Sequence, residues 1–142
     1  MNKATILIVE DSPDISQSLA DAFRFSDFAV LQADDASQAL QFAREKRPNL
    51  ILMDIQLPDQ DGLSVARTLK AEPATKHIPI IAMTAYDVEA HHAKAMTQTC
   101  AAYVQKPVRP RELVNLATAI IKLPTPPEPP TGRSRPPKPP GR

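Results

Sequence analysis

The chain has 142 residues, enough for one domain with a substantial core and too few for two of ordinary size. Seventeen Lys and Arg face sixteen Asp and Glu, so no global field points to nucleic acid or an anionic membrane, and the apolar runs fall far short of the roughly 20 residues a membrane helix needs. The single cysteine, Cys100, cannot form an internal disulfide, and the N-terminal apolar run ends in two acids without a small-residue cleavage site, so a cytoplasmic domain with no signal peptide is expected.

Short apolar runs alternate five times with segments of helical period, which predicts a parallel sheet covered by helices on both faces. The first strand, residues 4–9, is apolar on both faces, as a central parallel strand is. Glu10 and Asp11 close it. Ser12 reads as an N-cap with Pro13 at the first helical position, and Ile15, Leu19, Ala22 and Phe23 recur at helical spacing to about Phe25. Residues 28–32 form the second strand, followed by a cap at Asp34 or Asp35. The next helix carries the stripe Ala36, Ala39, Leu40 and Ala43 and ends in the basic cluster Arg44, Lys46 and Arg47. The third strand, 49–53, runs into Asp54 and a loop that Pro58 and Gly62 break open; a helix over 61–71 turns Leu63, Ala66 and Leu69 inward and stops at Pro73. Residues 78–83 form the fourth strand, leading through Thr84 and Ala85 to an alanine-rich helix from about Asp87 to Met96, weakly amphipathic and so expected to be the most mobile. The fifth strand spans 101–105, Lys106 and Pro107 end it, and Pro110 opens a last helix with Leu113, Leu116, Ala117 and Ile120 on one face.

Gly62 is the only glycine in the first 131 residues, so neither GxGxxG nor a Walker-type glycine loop can be written, and the usual dinucleotide and nucleoside-triphosphate sites are excluded. From Pro124 onward nine of nineteen residues are proline, with too little apolar surface for a core. The expected organisation is a domain over 1–122, net charge −2, and a disordered proline-rich basic tail or linker over 123–142, net charge +3. Within that tail Arg133, Pro136 and Pro139 match a basic RxxPxxP pattern read by groove-binding domains, a match that proline-rich sequence generates easily.

In a doubly wound sheet, ligands sit beyond the carboxyl ends of the strands where strand order reverses. The chain places Glu10 and Asp11 there from the first strand, Asp54 from the third, Thr84 from the fourth and Lys106 from the fifth. An acid ending a buried strand is partly dry and needs a charged partner or a job. Three converging carboxylates repel, a pair near 4 Å costing roughly 4 kcal/mol at an effective dielectric of about 20, and one lysine leaves them underneutralised. An all-oxygen site with few protein ligands suits Mg²⁺. Such an ion together with Lys106 would leave Asp54 ionised and able to attack phosphorus, with Thr84 donating a hydrogen bond to a phosphoryl oxygen. Taken singly, these residues have plainer readings: Asp11 and Thr84 as helix caps, Tyr103 as an edge-strand aromatic, Cys100 as a small buried side chain. His77, His91 and His92 read as surface residues, the last two pointing about 100° apart on a helix. The joint occurrence of Glu10, Asp54 and Lys106 is what favours a site.

Glu10-Asp11 after the first strand, MDIQLPDQDG around Asp54, MTA at 83–85 and Lys106-Pro107 after the fifth strand stand in order over about residues 3–122. In this the chain resembles the receiver domain of bacterial two-component response regulators. The resemblance implies a flavodoxin-like α/β fold, a doubly wound five-stranded parallel sheet in the order 2-1-3-4-5 with five helices. It implies that Asp54 takes a phosphoryl group from a phosphohistidine on a sensor histidine kinase or a histidine phosphotransfer protein. Asp11, Asp54 and the backbone carbonyl of Gln56 would ligate Mg²⁺, with Glu10 acting through a metal-bound water. Thr84 and Tyr103 match the switch pair, Lys106 matches the residue that pairs with phosphoryl oxygens, and the Lys106–Pro107 bond is expected to be cis. Gln56 and Tyr86 fall where side chains tune the survival of the aspartyl phosphate. Phosphorylation would alter the face made by the fourth helix, fifth strand and fifth helix, for an output protein the sequence does not name. With no room after residue 122 for a DNA-binding or catalytic domain, the expectation is a stand-alone regulator or a receiver cut from a longer protein, turning over nothing beyond its own phosphodonor. Two rivals exist. A dehalogenase-like phosphatase would carry a second acid two residues after the nucleophile, where this chain has Gln56; a degenerate receiver serving only as a docking module would not need the full acid, threonine and lysine set.

Overall fold

The computed structural model describes residues 3–85 and 90–122, without the side chains of 90–93 and 95. Its elements are β1 (Thr5–Val9), α1 (Pro13–Phe25), β2 (Ala29–Ala33), α2 (Ala36–Lys46), β3 (Leu50–Asp54), α3 (Gly62–Ala71), β4 (Ile80–Thr84), α4 (Ala90–Thr99), β5 (Ala102–Gln105) and α5 (Pro110–Lys122). Readings that fall on Tyr86, on residues 87–89, on the side chains of His91 and His92, and on the proline-rich stretch from 123 lie outside the described residues.

The strands pair in parallel in the order β2-β1-β3-β4-β5, as expected. Successive strand residues point to opposite faces, so the two-residue period divides the core in two. On one face Leu7, Val9, Ile51, Met53, Ile80 and Ala82 pack with Ala39 and Ala43 of α2, Val65, Ala66 and Leu69 of α3, and Met96 of α4. On the other, Ile6, Ile8, Leu50, Leu52, Ile81 and Met83 pack with Leu19, Ala20 and Phe23 of α1 and Leu113 and Ala117 of α5. The apolar residues of β3 and β4 are fully buried, each Leu, Ile and Met side chain contributing roughly 1.5–3 kcal/mol. That burial fixes the frame against which the strand ends are held.

Boundaries shift where a local bond competes with the ladder. The second strand starts at Ala29, not 28, because the Phe28 N–H bonds the Phe23 carbonyl at 3.0 Å and its ring meets that of Phe23 edge-on at 5.5 Å. The fourth starts at Ile80, not 78: Pro79 has no N–H for a ladder, and the Ile78 carbonyl accepts from Lys70 Nζ at 2.5 Å. The first and fifth strands begin one residue late, and α4 continues past Met96 to Thr99. Conversely, β3 and β4 each run one residue further than expected, so Asp54 and Thr84 are the last residues of their strands, in register with Met83 and Gln105. Asp35, rather than Asp34, caps α2 by accepting from Gln38 N at 2.8 Å, and Asp61 is the N-cap of α3, so that helix begins at Gly62. Ser12 Oγ accepts from Ile15 N and Pro13 opens α1, as read from the sequence.

Gly62 is required by a close approach. A Cβ there would stand 2.1 Å from the backbone oxygen of Asp54, where real carbon atoms do not go. Gly62→Ala is therefore expected to cost about 1–3 kcal/mol of stability, read from the urea midpoint; an unchanged midpoint would refute the packing argument. Cys100 is buried beside α4, and burial pushes its thiol up to about 11. The unfolded chain ionises it near 9.0, binding fewer protons than the fold between these values, so stability falls as pH rises from 9 to about 11. Nearby Lys70, whose ammonium burial pushes down, contributes the opposite slope. Replacing the thiol separates the two: the Cys100→Ala stability profile should lose the falling component in alkaline urea titrations.

Candidate functional site

Strand order reverses between β1 and β3, and the crevice at their carboxyl ends is where a doubly wound sheet accepts a ligand. Glu10 follows β1 with its N–H still paired to the Ala33 carbonyl at 3.0 Å, and Asp54 ends β3; each is only 2% exposed. Asp11, one residue on, is exposed. Carboxylate oxygens of Glu10, Asp11 and Asp54 all lie within 4.8 Å of one another. Lys106 reaches this cluster from beyond β5, where its backbone N–H bonds the Thr84 carbonyl at 2.6 Å and its peptide bond to Pro107 is cis.

One ammonium serves two acids. Lys106 Nζ donates to Asp54 Oδ2 at 2.9 Å and lies 2.9 Å from Glu10 Oε1. The second contact is an ion pair out of hydrogen-bond alignment, and Glu10 Oε1 has no hydrogen-bond donor among the described residues. The remaining oxygens are oriented by backbone: Asp54 Oδ1 accepts from Gln56 N at 2.9 Å, and Glu10 Oε2 from Ser12 N at 3.1 Å. Burial raises the Glu10 pKa more than the Lys106 ammonium and the Ser12 N–H pull it back, and neighbouring Asp54 adds to the rise. At Lys106 burial works against the charge, but Asp54 and Glu10 outweigh it and hold the ammonium above its ordinary value.

Among the described residues, three carboxylates face one ammonium, which leaves the cluster short of positive charge. The donor set is entirely hard oxygen, which fits a divalent cation of the Mg²⁺ kind. Thr84 is buried at the end of β4, between the strand that carries Asp54 and the strand that leads to Lys106. Gln56 sits just past Asp54 in an exposed turn, bridged to Asp61. Tyr103, in contrast, is 39% exposed on β5. The structure thus brings Glu10, Asp11, Asp54 and Lys106 to one place.

Two features escape a reading of the sequence. The first is the sharing of Lys106 between Glu10 and Asp54. The second is Asp59: its Oδ1 accepts from Ala36 N at 2.8 Å and its Oδ2 from Ser37 N at 3.2 Å, and these bonds hold its carboxyl below the usual range. Both contacts join residues far apart in the chain, and no local pattern announces either.

Because burial penalises a charged Glu10, Glu10→Gln should stabilise the cation-free fold at neutral pH by on the order of 1 kcal/mol, read by urea denaturation in the presence of a chelator. A destabilised variant would show that the Lys106 pair outweighs desolvation.

A family model for the response regulator receiver domain matches residues 6–118. The chain is 38% identical over 104 residues to the polar-differentiation response regulator DivK of Brucella anthropi, covering 73% of this chain and 85% of that one. Among solved structures, a CheY-like response regulator receiver domain protein of Methanospirillum hungatei matches with a TM-score of 0.78 at 26% identity, over 84% of this chain and 94% of that one. The receiver domain of the sensor histidine kinase PA1611 of Pseudomonas aeruginosa, solved with a magnesium ion coordinated in its active-site cleft, matches at 0.77 and 30% identity, over 86% of this chain and 100% of that one. None of these points to the phosphatase alternative. With its sheet order and its acid cluster at the β1 and β3 ends, the chain belongs to the response regulator receiver domain family, signalling modules of two-component systems rather than enzymes with a turned-over substrate.

Proposed function

We propose that Asp54 is the phosphoacceptor of a His-Asp phosphorelay. The observation that carries this reading is the buried Asp54 carboxylate, held at Oδ2 by Lys106 and at Oδ1 by the Gln56 N–H, within 4.8 Å of Glu10 and Asp11. These two bonds fix the orientation of the carboxylate at the end of β3. Its oxygen attacks the phosphorus of a phosphohistidine on a partner kinase or phosphotransfer protein; the new O–P bond forms as the N–P bond breaks and imidazole leaves. Lys106 offsets the charge arriving with the phosphoryl group, and Thr84 donates its hydroxyl to a phosphoryl oxygen. Asp11, Asp54 and the Gln56 carbonyl would hold Mg²⁺, and Glu10 would act through a water. When bound, the ion neutralises the excess carboxylate charge and polarises the phosphoryl group. With Mg²⁺ bound, the chain's own residues carry both the transfer and the later hydrolysis, in which a water attacks phosphorus and Asp54 is regenerated as inorganic phosphate leaves, so both are self-catalysed.

An apolar groove of about 230 Å³ opens beside Lys106, lined by Ile15, Leu19, Pro107, Val108 and Pro110. It supports docking of a partner next to the acids. Thr84 and Tyr103 act as the switch pair that reports phosphorylation to the α4-β5-α5 face and an output protein, and Gln56 and Tyr86 tune the lifetime of the phosphoryl group. Residues 1–122 form the receiver and 123–142 a tail or linker. No helix among the described residues is long and apolar enough to cross a membrane; action in the cytoplasm, without direct contact to nucleic acid, is part of the proposal.

The test is incubation with a small phosphodonor and Mg²⁺ followed by intact mass measurement. Wild type should gain one phosphoryl group, and Asp54→Asn none. A wild type without the gain, or an Asp54→Asn protein that still shows it, overturns the reading.

A further inference from the structure

The turn that follows Asp54 is closed at its base by its own backbone. Ile55 N bonds the Met83 carbonyl at 2.9 Å, Gly62 N bonds the Ile55 carbonyl at 2.8 Å, and Gln56 bridges to Asp61. Its tip, in contrast, is held by a side chain. Asp59 places one carboxylate oxygen on Ala36 N at 2.8 Å and the other on Ser37 N at 3.2 Å, the two leading N–H groups of α2. The next donor, Gln38 N, goes to the N-cap Asp35, so the first three N–H groups of that helix are satisfied by two acids from different parts of the chain. Asp35 alone would suffice for an ordinary cap. The additional carboxylate, placed where the helix dipole favours negative charge, fixes the turn rather than the helix.

We propose that Asp59 is a positioning residue for the acid site: by holding the two leading N–H groups of α2 it ties the tip of the Asp54 turn to a neighbouring helix, and so fixes the Gln56 backbone where the divalent ion is bound. This rests on the reading of Asp54, Asp11 and the Gln56 carbonyl as the ion's ligands. Asp59 touches neither the acids nor the phosphoryl group. Its effect passes through Gln56, whose N–H orients Asp54 Oδ1 from the same short segment. Without the tether the turn keeps its base but loses its anchor, and the ion must order the Gln56 peptide on binding. Affinity for the ion then falls, while the strand ends that carry Glu10 and Asp54 are unaltered.

The experiment is a Mg²⁺ titration of the full chain followed by amide chemical shifts at Glu10, Asp11 and Gln56, for wild type, Asp59→Ala and Asp59→Asn, with amide exchange at Ala36 and Ser37 measured in the same samples. Asp59→Ala should weaken Mg²⁺ binding roughly fivefold, the size a lost helix cap allows, and should deprotect both amides. Asp59→Asn, which keeps one acceptor oxygen, should fall between the two and guards against a poorly folded alanine variant. Phosphoryl uptake should need more Mg²⁺ to reach half its ceiling. If Asp59→Ala deprotects the amides but binds Mg²⁺ as wild type does, the positioning role is overturned and the ligand assignment stands. If wild type itself shows no Mg²⁺-dependent shifts at the acids, the ligand assignment fails and this inference fails with it.

Discussion

Two carboxylates, each 2% exposed, share one ammonium at the end of a parallel sheet, and the rest of the molecule is arranged to tolerate that. Asp54 ends a strand whose other residues are apolar and fully buried, and Glu10 directly follows the fully buried run Ile6, Leu7, Ile8 and Val9 of β1, so the strand ends cannot swing into water without pulling apart the core. Lys106 offsets part of the repulsion and, with its own side chain one-fifth exposed, keeps a route to solvent. Charge is still unbalanced. A site built this way is less stable than an apolar one of the same shape, and anything that brings positive charge to it or takes negative charge from it changes the energy of the fold. That sensitivity is what a signalling module requires.

The turn after Asp54 shows how closely the backbone serves the carboxylate. Gly62 lets α3 start against the Asp54 carbonyl with no room for a methyl group, and the Gln56 N–H returns to Asp54 Oδ1. The acid is therefore oriented by its own turn on one side and by Lys106, 52 residues away in the chain, on the other. Asp59 carries the connection outward to α2. The site and the helical layer are mechanically one piece along this edge.

Much of this was legible beforehand because it depends on local pattern. Six-residue aliphatic runs announce buried parallel strands; Ser12-Pro13 and Asp61-Gly62 announce helix starts; an acid at the end of such a run announces a strained position. Sequence and structure part where a local rule meets a tertiary competitor. Phe28 looks like strand but packs on Phe23, Pro79 removes a donor from the start of β4, and Asp34 and Asp35 are equal as caps until Gln38 bonds to both, donating its N–H to Asp35 Oδ1 and accepting at Oε1 from the Asp34 N–H.

By itself the sequence determined the five strands and five helices, their order in the sheet through the family resemblance, and the short list of acids, threonine and lysine that meet at the strand ends. These follow from periodicity and from residue types that only certain positions accept. Only the tertiary structure decided how the charges are divided: that Lys106 serves Glu10 as well as Asp54, that Glu10 Oε1 meets this ammonium with no aligned hydrogen-bond donor among the described residues, and that Asp59 reaches α2. Each depends on distances between residues brought together by sheet pairing, and a one-dimensional pattern carries no such distance.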